Sequence, residues 1–418
     1  MAQKSRKGLP DEIRRTAEQS VAYYYAIYQT IHANPELSLC EKETSKLLAH
    51  EMRKLGLEVT ENIGGYGVVG VLRNGGGPVV MLRADMDALP VKEDTGLPFA
   101  STKVVKSGDS NVPVMHACGH DMHSTVLLGT LSALVHHKND WKGTILAVGQ
   151  PAEEVGAGSS ALIADGLFEK FPCPDIALGY HVAPDFPAGT VAYTKGPSMA
   201  GVRDIDITFY GKGTHGAMPH NGIDPIVMAA TAILEFQTII SRNVSADQPA
   251  VLTVGAINGG NRPNVIPEEV KLLLTVRYFS EEVGALIEKR IREICHSCAT
   301  GFGMDKMPMI SVHSVLPPVI NDPVLTDKVV EVMAQVIGKE NVRPSAIHMP
   351  AEDFAFYARA IAKKKGLPEL APTVLLWLGA SQSETEISGP LHSPTFHPEF
   401  EKAYVTGVSA MAAAVISY

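Results

Sequence analysis

Several short apolar runs constrain the fold of this chain more than any other feature: "GVVGVL", "GPVVMLRADM", "GTILAVGQPAEE", "DIALGYHV" and "TVLLWLGAS". Consecutive Val, Ile and Leu over so few residues suit strands buried on both faces. Between them lie longer segments with helical spacing of apolar positions. One runs from about Pro10 to His32. After the turn "NPELS" comes "CEKETSKLLAHEMRKLGLEV", closing at Gly56, and later "MHSTVLLGTLSALVHH" and "GAGSSALIADGLFEKF". Buried strands alternating with helices predict an α/β domain built on a largely parallel sheet.

A stretch in the middle has a different rhythm. "VRDIDITFYGKG" alternates apolar and polar residues, as a half-exposed strand does. A helix over "GIDPIVMAATAILEFQTIIS" follows, then strands at "AVLTVGAING" and "EVKLLLTVRYF", a helix around Ile287 and a strand at "MPMISVHSV". That order, β-α-β-β-α-β, is the split βαβ plan of a ferredoxin-like α+β domain. Residues 198–313 are therefore expected to form a second domain inserted into the first, which comprises residues 1–197 and 314–418.

Composition narrows the function. Over 418 residues the net charge is −9, and no basic stretch is interleaved with aromatics, which argues against a nucleic-acid partner. No apolar run reaches the length of a membrane span. The basic residues Lys4, Arg6 and Lys7 lead into no apolar segment, so no signal peptide is visible. The 5 cysteines are scattered and odd in number, which favours a reducing compartment, the cytoplasm. A periplasmic or secreted location stays open if a signal peptide has been removed. Cys295 and Cys298 form a CxxC, but with Ile287, Ile291 and Ile294 they fall on one helix face and read as packing.

In open α/β sheets, ligands bind beyond the carboxyl ends of the strands. The residues just past the core strands of this chain are alike in kind. Asp85 and Asp87 come after the "VVMLRA" strand, Glu153 and Glu154 after the next, His181 ends another, and His392 lies in a loop after the last. "HACGHDMH", residues 116–123, packs three histidines, a cysteine and an aspartate just ahead of a helix that faces the same rim. Such donors suit a divalent metal. Of two adjacent glutamates, one can ligate while its neighbour stays free as a base.

"HANPELS", "LRADMDALP", "MHACGHDMH", "QPAEE", "GYH", "GKGTHGAMPH", "NVIP", "AEDF" and "LHSP" occur in the order found in a known family. Over nearly its whole length the chain resembles the two-metal amidohydrolases and peptidases that include aminoacylases, hippurate hydrolases and auxin-conjugate (IAA-amino acid) hydrolases. The resemblance implies a phosphorylase/hydrolase-like metallopeptidase domain with an inserted dimerisation domain. It makes Cys118, His120, Glu154, His181 and His392 the ligands of two divalent ions, with Cys118 as a bridging thiolate and Glu153 as general base. Broader relatives carry a histidine at the position of Asp85, so Asp85 and Asp87 are expected to support ligands, and Asp121 to orient a ligating histidine. The residue matching His215 polarises the scissile carbonyl, often across a dimer interface, and those matching Asn264 and Arg277 contact substrate.

The expected function is metal-dependent hydrolysis of N-acyl-L-amino acids by a homodimer or higher homo-oligomer, with Zn²⁺ or Mn²⁺ bound and Co²⁺ or Ni²⁺ admissible. A dipeptidase or carboxypeptidase acting through the same centre on short peptides is the alternative. Structural zinc alone would need a closed four-ligand site with no adjacent base, and Glu153 argues against it. A binding protein that had lost catalysis would be expected to lack Glu153, His215 or a ligand.

Overall fold

The computed structural model describes residues 8–107, 110–385 and 389–418. Lys4, Arg6 and Lys7, on which the absence of a signal peptide was argued, lie outside the described residues. The chain divides into two compact units: Met1–Gly196 with Ile320–Ala346 and Asp353–Tyr418, and Pro197–Val319 with Ile347–Glu352.

The larger unit begins with helix α1 (Leu9–Ala33), which has Pro near its start, Asp11 and Glu12 in its first turn, and a buried face of Ile13, Ala17, Tyr24, Tyr28 and Ile31. Helix α2 (Lys42–Lys54) is followed by strands β1 (Glu58–Ile63), β2 (Gly67–Asn74) and β3 (Val79–Asp85). Helix α3 (His120–His136) starts at His120 itself, and nearly every residue of its first four turns is buried. A helix enclosed all round has no polar face to show in its sequence. Strands β4 (Gly143–Gln150), β5 (Ile176–Pro187) and β6 (Val191–Tyr193) complete the part before the smaller unit.

In the smaller unit, strand β7 (Gly201–Tyr210), helix α4 (Pro225–Thr238), strands β8 (Ala250–Asn258) and β9 (Glu269–Tyr278), helix α5 (Glu281–Gly301) and strand β10 (Met309–Leu316) follow in order. All neighbours in the sheet, ordered β8-β9-β7-β10, are antiparallel. Strand β9 alternates exposed and buried residues, and its buried face packs with Met228, Phe236, Ile287 and Ile291 of the two helices. Cys295 and Cys298 belong to that core, and burial pushes the Cys298 thiol up to about 11, so this CxxC is packing.

Strands β11 (Val342–Pro344) and β12 (Thr373–Ser381) return to the larger unit, as do helices α6 (Pro323–Ile337), α7 (Ala355–Lys365) and α8 (Phe400–Ser417). Its sheet has the order β1-β2-β4-β3-β5-β12-β6-β11. The centre, β4-β3-β5-β12, is parallel, and every residue of β4 and β12 is buried. The flanks are not: β1, β2 and β4 run antiparallel, as do β12 and β6. The sheet is therefore mixed. On the β1 side, tight turns with no room for a crossover helix join β1 to β2 at Gly64 and Gly65 and β2 to β3 at Gly75 and Gly77. Among the described residues no helix is long and apolar enough to cross a membrane.

A buried charge cluster ties three of these segments together. His32, near the end of α1, is 1% exposed. Its Nδ1 meets Oδ2 of Asp121 at 2.7 Å and its Nε2 meets Oε1 of Glu93 at 2.9 Å. Burial alone would lower its pKa, but the two carboxylates prevail and raise it to about 9. Against the effect of burial, His116 and then His32 hold Asp121 below its ordinary value, and His32 does the same for Glu93. A histidine whose pKa is raised on folding contributes stability fully below about 6.5, and that contribution is lost as the pH rises through about 9. His32→Gln is thus expected to cost about 3–5 kcal/mol near pH 6 by leaving buried carboxylates without their cation. The gap in Tm between wild type and variant should narrow as the pH is raised toward 9.5. A gap constant across that range would mean that His32 is neutral in the folded protein.

Candidate metal centre

Six side chains of the larger unit that the sequence singled out meet at the carboxyl ends of its strands. Cys118 lies in the turn that enters α3, His120 in the first turn of that helix, and His181 within β5. Glu153 and Glu154 follow β4, and His392 lies in the loop after β12. Cys118 Sγ is 3.4 Å from His181 Nε2 and 3.3 Å from His392 Nε2. Oε1 of Glu154 is 3.8 Å from His120 Nε2, and its Oε2 is 3.6 Å from His392 Nε2. Several overlapping groups have donor atoms that all lie within 4.8 Å of one another, among them Cys118 with His120 and His181, Cys118 with Glu154 and His392, His120 with Glu153 and Glu154, and Asp85 with His120 and His123.

Local geometry forces this convergence. Gly119, between the cysteine and the histidine, has φ 74°, and a Cβ there would come 2.5 Å from Val182 Cγ2. Only glycine satisfies both the left-handed turn and the close approach of β5. His392 has φ 63°, and its N–H donates to the carbonyl of Ala117 at 2.8 Å, which fastens its loop to the Cys118 turn.

The ring nitrogens show which atoms are offered to a ligand. His181 Nδ1 donates to the carbonyl of Val182 at 2.8 Å, leaving Nε2 as the lone pair facing Cys118. His120 Nδ1 donates to Asp87 Oδ1 at 3.2 Å. Its Nε2 is buried with no hydrogen-bond partner among the described residues, and so is Oε1 of Glu154, which faces it. Two buried polar atoms that face each other at 3.8 Å without a hydrogen bond are costly unless something bridges them. A cation accepted by an imidazole, a carboxylate and a thiolate fits that gap, and the donor set is one that zinc and its neighbours accept.

Electrostatics point the same way. Burial raises the Cys118 thiol well above its ordinary value and lifts Glu154 to about 7, while it lowers His181 to about 3 and also lowers His392. His120 is raised well above its ordinary value, because Asp85 and Cys118 outweigh its burial. Burial thus favours the neutral forms of Cys118, Glu154, His181 and His392, and a metal taking the sulfur as a thiolate would displace its proton.

The supporting acids divide differently from expectation. Asp87 pairs with His120 and also takes the Ser38 hydroxyl at 2.7 Å and the Glu154 N–H at 3.0 Å. Asp85 pairs with Arg83 at 2.7 Å and with His123 Nδ1 at 2.5 Å. His123 Nε2 accepts the Val182 N–H at 2.8 Å, so both of its ring nitrogens are engaged within the protein. Asp121 does not orient a ligating histidine: its oxygens go to His32 and to the Met122 N–H. His116 is buried and neutral, pushed down to about 4 by burial.

Sequence reasoning missed Glu41, Arg83, Gln150 and Asp353. The last three form a buried network, with Arg83 donating to Gln150 at 2.9 Å and to Asp353 at 3.1 Å. An arginine inside the apolar run "VVMLRA" was the available signal, since a buried guanidinium demands carboxylates elsewhere in the chain.

The other three candidates belong to the smaller unit. His215 pairs in a two-residue ladder with Val265, and the Gly216 N–H donates to the Asn264 carbonyl at 2.8 Å. Both His215 and Asn264 line a cavity of about 920 Å³ together with Asn258, Asn261 and Lys271. Arg277, half-buried in β9 between Val202 and Val251, is not among its lining residues.

Residues 81–417 match the model of peptidase family M20/M25/M40. An N-acetyl-L-cysteine deacetylase of Bacillus subtilis is 38% identical over 336 residues, covering 80% of this chain and 77% of that protein. A hippurate hydrolase of Campylobacter jejuni is likewise 38% identical over 336 residues, covering 79% of this chain and 84% of its own. A crystal structure of a dinuclear metal-binding peptidase of Bacillus subtilis superposes with a TM-score of 0.76 at 27% identity, covering 95% of this chain and 98% of that one. Matched over most of its length and at this level of identity, the chain belongs to peptidase family M20/M25/M40 and is a hydrolytic enzyme.

Proposed function

We propose that the enzyme hydrolyses the amide bond of N-acyl-L-amino acids, releasing a carboxylic acid and a free amino acid. The observation that carries this reading is the buried approach of His120 Nε2 and Glu154 Oε1, neither with a hydrogen bond, beside a second glutamate, Glu153. The deacetylase and hippurate hydrolase among its relatives support the substrate class. Cys118, His120, Glu154, His181 and His392 would hold two divalent cations, Zn²⁺ or Mn²⁺, with Co²⁺ and Ni²⁺ compatible with the same donors. Bound there, the cations would acidify water and polarise a carbonyl.

Glu153 acts as the base. Its carboxylate takes the proton of the attacking water and delivers it to the nitrogen of the leaving amine, so that carboxylic acid and amine part as stable products. Asp87 holds His120 in the tautomer that keeps Nε2 as a donor. His215 donates a hydrogen bond to the carbonyl oxygen as charge develops on it, Asn264 contacts the substrate, and Arg277 grips the free carboxylate through its two-pronged guanidinium. The smaller unit joins two copies of the chain into a dimer, and His215 serves the partner's centre. A dipeptidase or carboxypeptidase is the second reading, favoured by the family description, since a peptide is also an N-acyl amino acid.

Activity on a panel of N-acetyl, N-benzoyl and dipeptide substrates, after chelation and readdition of single metals, tests the reading directly. Chelation is expected to abolish turnover and metal to restore it, with N-acyl amino acids cleaved faster than dipeptides. Preference for dipeptides would favour the second reading, and full activity after chelation would remove the metals. Glu153→Gln should keep its metal and lose about 10²-fold or more in kcat. Glu154→Gln and Cys118→Ala should instead lose metal and activity together, measured by elemental analysis of the purified variants. For the smaller unit, His215→Ala should lose about 10²–10³-fold, mainly in kcat. Arg277→Ala should fall mainly in KM, with a smaller loss on substrates whose carboxylate is esterified.

A further inference from the structure

The side chains of the centre are held by one another, but the backbone that presents the two glutamates is held from elsewhere. The chain leaves β4 through Ala152, a buried non-glycine residue with φ 55°. A residue with a Cβ persists in that left-handed region only where its surroundings over-determine it. The Ala152 N–H donates to Oε1 of Glu41 at 2.8 Å. The same oxygen accepts the N–H of Leu39 at 2.9 Å, and Leu39 is also left-handed, with φ 67°.

Glu41 is 0% exposed, and its Oε2 has no hydrogen-bond partner among the described residues. A buried carboxyl with an idle oxygen is costly, and its two Oε1 bonds are the compensation in view. On the other side of Glu153, the Glu154 N–H ends on Asp87 Oδ2, which Ser38 also holds. The amides before and after Glu153 therefore both end on carboxylates tied to the single turn that carries Ser38, Leu39 and Glu41.

We propose that Glu41 is a positioning residue: it fixes the left-handed conformation of Ala152 and so the direction in which Glu153 and Glu154 leave the strand. This rests on the roles given above to those two glutamates. Glu41→Leu removes the acceptor while keeping an apolar side chain in a buried place. Glu41→Gln keeps a carbonyl oxygen where Oε1 stands. Ala152→Gly makes the left-handed conformation free of steric cost, so in combination with Glu41→Leu it should relieve the need for the acceptor.

The test uses the full-length enzyme reconstituted with Zn²⁺, with N-acetyl and N-benzoyl amino acids as substrates. Glu41→Leu is expected to lose about 10- to 100-fold in kcat with KM changed less than about threefold. Glu41→Gln should stay within about threefold of wild type, and the Glu41→Leu/Ala152→Gly double should recover about fivefold or more over the single variant. Hydrogen–deuterium exchange supplies a readout independent of substrate: the segment 151–154 should exchange faster in Glu41→Leu while the core strands keep their protection. If the single variant does not fold, the double is expected to fold and turn over. Unchanged exchange of 151–154 in Glu41→Leu, a double no faster than the single, Glu41→Gln as damaged as Glu41→Leu, or a double that also fails to fold overturns the proposal. Should the wild type cleave none of these amides, the reading of function fails while the exchange result still decides what Glu41 holds.

Discussion

The hydrogen bond from His120 Nδ1 to Asp87 Oδ1 fixes which nitrogen of that imidazole is left for a ligand, and much of the centre depends on it. A buried imidazole has two chemically different ends, and only a partner on one end determines the proton on the other. His181 is fixed by the same logic through the Val182 carbonyl. Asp87 is itself pinned by Ser38 and by the Glu154 amide, so the orientation of one histidine and the path of the glutamate loop are set by one carboxylate. Moving Asp87 would disturb both at once.

The sheet explains why these parts come within reach. Parallel strands β4, β3, β5 and β12 end on one rim, and the residues just past those ends are far apart in sequence but neighbours in space. Their interiors are largely apolar, and most of the polar chemistry collects at the rim, Arg83 and Gln150 forming a buried exception near it. The helix from His120 adds its amino end to the same place, and its burial on all sides leaves it no freedom to tilt.

That rim was legible in the sequence because it follows from strand pattern plus residue type, and both are local. Glu153, Glu154 and His181 could be assigned to strand ends without knowing what they touch. The flanking strands were less legible: whether β2 runs with or against β4 depends on the short connection from β2 to β3 through Gly75 and Gly77, not on the apolar pattern of either strand. Pairings over long separations were invisible. His32 meets Asp121 across 89 residues and Glu41 meets Ala152 across 111, and neither acid nor base carries a local sign of its partner. The expected role of Asp121 failed for that reason: adjacency to His120 in sequence placed its carboxylate on the other side of the helix turn, against α1.

Asp85 shows how charge is apportioned around such a centre. It is completely buried and held well below its ordinary pKa, with Arg83 and the neighbouring histidines outweighing the effect of burial. Its oxygens are taken by Arg83 and by His123, so its negative charge is already balanced within the protein. Arg83 in turn is shared with Asp353, whose other oxygen accepts the Ser159 N–H at 2.9 Å. A carboxylate compensated in this way is a poor donor to a cation, because coordination would have to break a buried ion pair. The other acidic groups at the rim include Cys118 and Glu154, which burial holds toward their neutral forms. A cation bound beside Cys118 would have to displace the thiol proton, and the sulfur would then supply the charge that Asp85 withholds.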